Sequence, residues 1–118
     1  MMTLREGLEV HFCLTSIDMR KSIDGLSGLV MDLLEESPQS GHLFVFYNKT
    51  KNKIKILYWD KNGFVMHYKR LEKGRFRLKG LEKGGSMQLT EHQLQWLLAG
   101  LDFMKMDEFS HLNYTHYY

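Results

Sequence analysis

The side chains best equipped for chemistry lie between Lys49 and Lys83, in the run KTKNKIKILYWDKNGFVMHYKRLEKGRFRLKGLEK. This run holds twelve of the sixteen Lys and Arg residues against three acids, Asp60, Glu72 and Glu82, a local excess of nine positive charges. The whole chain is formally +2, so the remainder carries seven net negative charges and the molecule is strongly dipolar. Cations at this density suit a polyanion, displacing condensed counterions from phosphates and binding in a salt-sensitive way, with an acidic face of a partner protein as the competing target. The candidate phosphate-binding residues are Lys49, Lys51, Lys53, Lys55, Lys69, Arg70, Lys73, Arg75, Arg77 and Lys79, with Trp59 and Tyr68 placed to stack on unpaired bases. Outside the run, Arg20 and Lys21 sit near an expected helix start and form a second candidate phosphate clamp. The blander alternative is that lysines on edge strands only guard the sheet against aggregation, and that Asp18 and Asp24 merely neutralise Arg20 and Lys21.

Other chemistries find little support. Metal-dependent cleavage of a phosphodiester needs two or three converging carboxylates. Asp18, Asp24 and Asp60 are the candidates near the basic region, and their spacing does not mark them as a set. Cys13 and the scattered His11, His42, His67, His92, His111 and His116 show no paired zinc-ligand spacing. Cys13 lies in the apolar run Val10 to Leu14 and reads as a buried structural thiol. No glycine-rich phosphate loop of known spacing occurs. The expectation is therefore a protein without catalytic residues, metal or cofactor.

Several elements must position these residues. Leu8, Val10, Phe12 and Leu14 alternate with Glu9, His11 and Cys13, the period of a strand with one buried face. Met19, Ile23, Leu26, Val30 and Leu33 recur at three and four, predicting a helix over Asp18 to Glu36, capped by Thr15 or Ser16 and stopped by Ser37-Pro38. Gly25 and Gly28 within it each cost about 1 kcal/mol relative to alanine, which points to close packing against a strand. Leu43 to Asn48, Lys53 to Asp60 and Phe64 to Arg70 read as a three-strand meander, its second turn marked by Asn62-Gly63. Arg75, Arg77 and Lys79 alternate with Phe76 and Leu78, predicting a fourth run with one basic face. On Lys53 to Asp60 the same logic aims Lys53 and Lys55 at solvent, opposite Ile54 and Ile56. Thr90 and Gln93 form a capping box before a helix over Glu91 to Leu101, with Leu89 and Leu94 as a hydrophobic staple and Leu94, Leu97, Leu98 and Leu101 as its apolar stripe.

The expected fold is a single α+β domain over residues 1–101: a mostly antiparallel, twisted sheet of five to six short strands with two helices packed on one face. Residues 102–118 read as a C-terminal tail of poor order. The 118 residues suit one core, and 43% apolar content argues against wholesale disorder. Apolar runs fall far short of the roughly 20 residues that cross a bilayer. Arg5, Glu6 and Glu9 stand where a signal peptide needs an apolar run, so the expected location is the cytoplasm and no membrane partner is expected.

The segments TSIDMRKSIDGLSGLV, LFVFYN, IKILYWD, GFVMHYK, RLEKGRF and MQLTEHQLQWLLAGL, spread in order between Val10 and Leu101, closely resemble the small accessory protein of the insertion sequence 66 family of bacterial transposable elements. That protein is often called TnpB or the second open-reading-frame protein, and is unrelated to the RNA-guided nuclease of the same name. The resemblance implies a cytoplasmic bacterial protein, encoded beside a separate, larger transposase, that assists transposition without being the catalytic subunit. DNA and the transposase of the same element are the partners it implies. Members commonly carry a tryptophan soon after the GRF segment, where this chain has Leu78. Any base stacking by that tryptophan is weakened here.

Overall fold

The chain runs β1 (Val10–Cys13), α1 (Ile23–Asp32), β2 (Leu43–Tyr47), β3 (Lys53–Asp60), β4 (Gly63–Arg70), β5 (Ser86–Leu89), α2 (Glu91–Leu98) and a 3-10 turn at Phe103–Lys105, in a computed structural model that describes residues 6–81 and 83–105. The five strands form one sheet in the order β4-β3-β2-β1-β5. Only β1 and β2 are parallel, because α1 carries the chain back across the sheet between them. The expected α+β class and mostly antiparallel five-strand sheet are present.

Strand alternation divides the interior in two. Val10, Phe12, Val45, Tyr47, Ile54 and Ile56 point to one side, where Leu94 and Leu97 of α2 cover them together with Phe76, Leu78, Leu81 and Phe103. Cys13, Phe44, Phe46 and Leu57 point to the other, beneath Leu26 and Val30 of α1. The helices therefore lie on opposite faces, which corrects the expectation that both pack on one. The pattern also changes β1: all four of its residues are buried, because β2 and β5 flank it and both faces are roofed. His11, expected on an open face, is 6% exposed and stacks on Phe44 at 5.4 Å between ring centroids. Its Nε2 lies 3.0 Å from Glu9 Oε1.

Helix α1 is shorter than its periodicity predicts. It begins after Ser22, whose side chain makes no capping hydrogen bond, and it ends at Asp32, ahead of the left-handed Glu35. Met19 and Asp18 lie outside it, in the loop that follows β1. Nor do its glycines answer to a neighbouring strand. A Cβ at Gly25 would stand 3.1 Å from Lys21 Cβ, whereas one at Gly28 would meet nothing within 4 Å. Gly28→Ala is thus expected to stabilise the fold by about 0.5–1 kcal/mol through helix propensity alone. Gly25→Ala should give no such gain; urea denaturation of the two variants measures the difference.

Helix α2 matches its start signal: Thr90 Oγ1 accepts from Gln93 N and Gln93 Oε1 accepts from Thr90 N, a complete capping box. Leu89 and Leu94 are buried in the same cluster. The helix ends at Leu98, before the left-handed Gly100, so Leu101 lies beyond the apolar stripe and is 49% exposed. Phe103 is fully buried, and the packed chain thus runs on past Leu101. Residues 106–118, which make up most of the expected tail, lie outside the described residues.

The Lys61-Asn62 pair, not Asn62-Gly63, occupies the centre of the second turn: Asp60 pairs with Gly63 across the ladder, and Lys61 has the positive φ. The run Arg75 to Lys79 is not a strand. Among the described residues no ladder partner holds it; the alternation survives because Phe76 and Leu78 are drawn into the α2-side core while Arg75, Arg77 and Lys79 stay exposed.

Candidate nucleic-acid interface

The β2–β3 turn supplies the foundation of the site. Asn48 is buried, and its Nδ2 donates to Thr50 Oγ1 and Asn52 Oδ1, both at 2.8 Å. Its Oδ1 accepts from Asn52 N at 3.1 Å and Lys53 N at 2.9 Å. Tied in this way, the turn holds Lys51 at φ 60° and presents two backbone carbonyls outward. Asn52 O accepts from Leu71 N at 2.8 Å and Lys51 O accepts from Phe76 N at 2.7 Å. The segment after β4 is therefore stitched to the turn by its backbone and nailed to the core by Phe76 and Leu78.

One consequence is a groove of about 510 Å³ lined by Lys51, Arg75, Arg77, Lys79 and Lys105, with Asp102 and Met104 on its rim and Phe76 and Leu78 beneath. Among the described residues, five cations and one acid line it. Such a concavity focuses positive potential, because its low-dielectric walls confine the field lines. Asp102 opposes them, its Oδ1 accepting from Met104 N at 3.2 Å. Asp102→Asn is expected to tighten binding of a polyanion about threefold, the effect of removing one like charge some 6 Å from a phosphate in water. A fluorescence-anisotropy titration of the variant beside the parent measures this.

The other predicted cations do not converge on the groove. Lys55 is the clearest correction. Expected at solvent, it is 7% exposed. Its Nζ donates to Met19 O and Lys21 O, each at 2.7 Å, beneath the ring of Tyr68 at 5.5 Å. An ammonium can be buried only where its donors are satisfied, and the loop after β1 supplies the acceptors. That loop folds further on itself: Asp18 accepts from Arg20 N at 2.9 Å and takes Arg20 Nη2 at 2.6 Å, so the guanidinium holds the Asp18 carboxyl down to about 2. The DMRK segment is thereby a structured loop anchored by Lys55. Arg20 faces solvent, yet its charge is matched by Asp18.

Lys69 donates to Leu98 O at 2.5 Å, closing the C-terminal end of α2. Arg70 pairs with Glu72 at 2.9 Å. Lys53 is half-buried opposite Arg70 in the β3–β4 ladder. Lys49 and Lys73 are exposed and do not line the groove. Trp59 stands at the far end of β3, edge-on to Phe64 at 5.0 Å. Leu78 is 1% exposed and belongs to the core. Sequence reasoning missed Lys105 and Asn48. Lys105 lies in an acid-rich stretch with no period, and the buried role of Asn48 leaves no signal beyond its place at a strand end.

Burial raises the Cys13 thiol above its ordinary pKa, as befits a structural cysteine. Among the described residues no group of three or more His, Cys, Asp and Glu is placed to hold a metal ion. Asp18 is taken up by Arg20, and Asp60 stands at the hairpin tip. Among the same residues no helix is long and apolar enough to cross a membrane.

The fold and site define a small α+β protein that presents a cradle of cations on one face of an open sheet. Its family follows from comparison: a family model described as IS66 Orf2-like protein matches residues 8–108, and the chain belongs to that family of transposition-associated accessory proteins. Two relatives from Sinorhizobium fredii, both named only as uncharacterized proteins, agree with this. The one called y4jC is 31% identical over 100 residues, 85% of each chain. The one called y4hO is 31% identical over 103 residues, 87% of this chain and 89% of its own. No solved structure matches.

Proposed function

We propose that this protein assists transposition by holding DNA, without catalysing strand chemistry, through the groove of Lys51, Arg75, Arg77, Lys79 and Lys105. The convergence of these five cations on one concavity, from three separate stretches of chain, carries the reading. Phosphate contacts of this kind position a protein on DNA and carry no sequence information themselves. The work fits a reducing cytoplasm beside the element's transposase. A fluorescence-anisotropy titration against DNA at about 50 mM NaCl should show saturable binding that weakens steeply with salt. Absence of binding at that salt would sink the proposal.

A second reading has its own observation. Met104, which lines the groove, and Leu101, next to Asp102 in the chain, are 51% and 49% exposed. An apolar rim next to a charged cleft suits a protein surface, and the transposase is the partner that such docking would serve. Co-purification of the two proteins that survives nuclease treatment and is lost on Met104→Asp supports it; loss of the transposase on nuclease treatment counts against it.

A further inference from the structure

Resting on the DNA-binding reading, we infer that the groove takes double-stranded DNA by its backbone, independently of sequence, and discriminates against single strands. It rests on the placement of the aromatic side chains relative to the cations. A single strand exposes its bases, and proteins that hold one line the cationic path with aromatic faces, each gaining roughly five- to a hundredfold in affinity. This groove lacks such faces among the described residues: its one aromatic, Phe76, is 2% exposed and turned into the core.

Every aromatic candidate of β3 and β4 stands elsewhere. Trp59 is six residues along β3 from Lys53, about 20 Å from the groove end of the strand, and it is engaged with Phe64. Tyr58 stacks on His67 at 5.7 Å, also toward the hairpin tip. Tyr68 lies nearer the groove in sequence register, opposite Lys55, but on the α1 side of the sheet, whereas Phe76 and Leu78 fix the groove to the α2 side. Base-reading groups are equally sparse. Among the described residues the lining offers Lys and Arg, one carboxylate and mainly aliphatic or thioether carbon, with no Asn or Gln to pair with an adenine edge.

Arg75, Arg77 and Lys79 recur at every second residue and are all exposed, so three cations stand on one short stretch of backbone where phosphates can meet them. Phosphate contacts from Arg75, Arg77, Lys79 and Lys105 predict a slope of log affinity on log salt of about −3.6 for a duplex, hence a fall of about 150-fold between 50 and 200 mM NaCl.

The test is an anisotropy titration of the full chain with two labelled 20-base-pair duplexes of unrelated sequence and with one of their single strands. Both duplexes are expected to bind within threefold of each other, with the steep slope above, and the single strand at least fivefold more weakly. Arg77→Gln and, separately, Arg75→Gln should each flatten the duplex slope by about 0.9 while leaving the circular-dichroism spectrum unchanged. Arg20→Gln, outside the groove, should leave it as it is. Equal or tighter binding of the single strand, a preference for duplex over single strand below fivefold, or a difference above threefold between the two duplexes overturns the inference and leaves DNA binding standing. A slope unmoved by both groove variants places the DNA elsewhere and overturns it too. Failure of duplex and single strand alike to bind at about 50 mM NaCl overturns the DNA-binding reading itself.

Discussion

Lys55→Met is expected to cost about 2–4 kcal/mol of folding stability, because two backbone carbonyls lose their only described side-chain donor in a half-buried site. Methionine keeps the length of the side chain and fills the space, so the loss isolates the hydrogen bonds and the charge from simple cavity formation. Against a total of about 5–15 kcal/mol for a domain of this kind, that is a large fraction. Urea denaturation should show the midpoint falling with little change in slope. DNA affinity per folded molecule should stay within threefold, since Lys55 does not line the groove. If Lys55 were a phosphate ligand, as its strand position first suggests, the result would be the reverse: intact stability and weakened binding. The variant therefore separates two roles that one lysine in a charge run could have. A second effect should accompany it: Arg20 and Lys21 belong to the loop that Lys55 anchors, and protease cleavage there should quicken in the variant.

Reversing three charges together, with Arg75→Glu, Arg77→Glu and Lys79→Glu, is expected to weaken DNA binding by more than about 100-fold at 0.1 M salt, each lost phosphate contact accounting for close to a factor of eight. All three side chains are exposed, and the residues that secure this segment, Phe76 and Leu78, are untouched. Stability should change by less than about 0.5 kcal/mol. The measurement is the same anisotropy titration, accompanied by a count of transposition events when the triple variant replaces the parent beside the transposase. Affinity within threefold of the parent would show that the groove does not hold DNA. Loss of transposition with DNA binding intact would instead favour the docking of the transposase on this face.

Local signals were the legible part of this chain. The capping box of α2 depends on two residues three apart, and the β2-β3-β4 meander on short turns between alternating runs. What depended on distant partners was not legible. Lys55 finds its acceptors 34 and 36 residues earlier, so periodicity could show which side of the strand it took but not that the loop after β1 would cover it. The run Arg75 to Lys79 carries a strand's alternation without a strand's ladder, because burial of Phe76 and Leu78 imposes the same period as a pleat. Period two reports which side a side chain faces and is silent on where the backbone hydrogen bonds go. Helix α1 was overextended for a related reason: Met19 and Ile17 pack against the same cluster as the helix and mimic one more turn of its stripe. The groove was half visible. The alternation alone puts Arg75, Arg77 and Lys79 on one exposed side, while Lys51 is brought beside them by Asn48 and Lys105 by the burial of Phe103.

The position of β1 between β2 and β5 bears on how the molecule is made. Synthesis reaches Val10 to Cys13 early, yet Cys13 pairs with Ser86 and Val10 with Leu89, near the other end of the fold. At about 5–20 residues per second, the emerging chain waits roughly 4–15 s for its second neighbour. Over that interval one edge of β1 is open, and the apolar side that α2 will cover has no roof. A ribosome that stops before Ser86 releases an unclosed sheet with Phe12, Val45 and Ile56 uncovered, a fragment suited to aggregation and not to service. The protein is in this sense made all at once, when its last strand arrives.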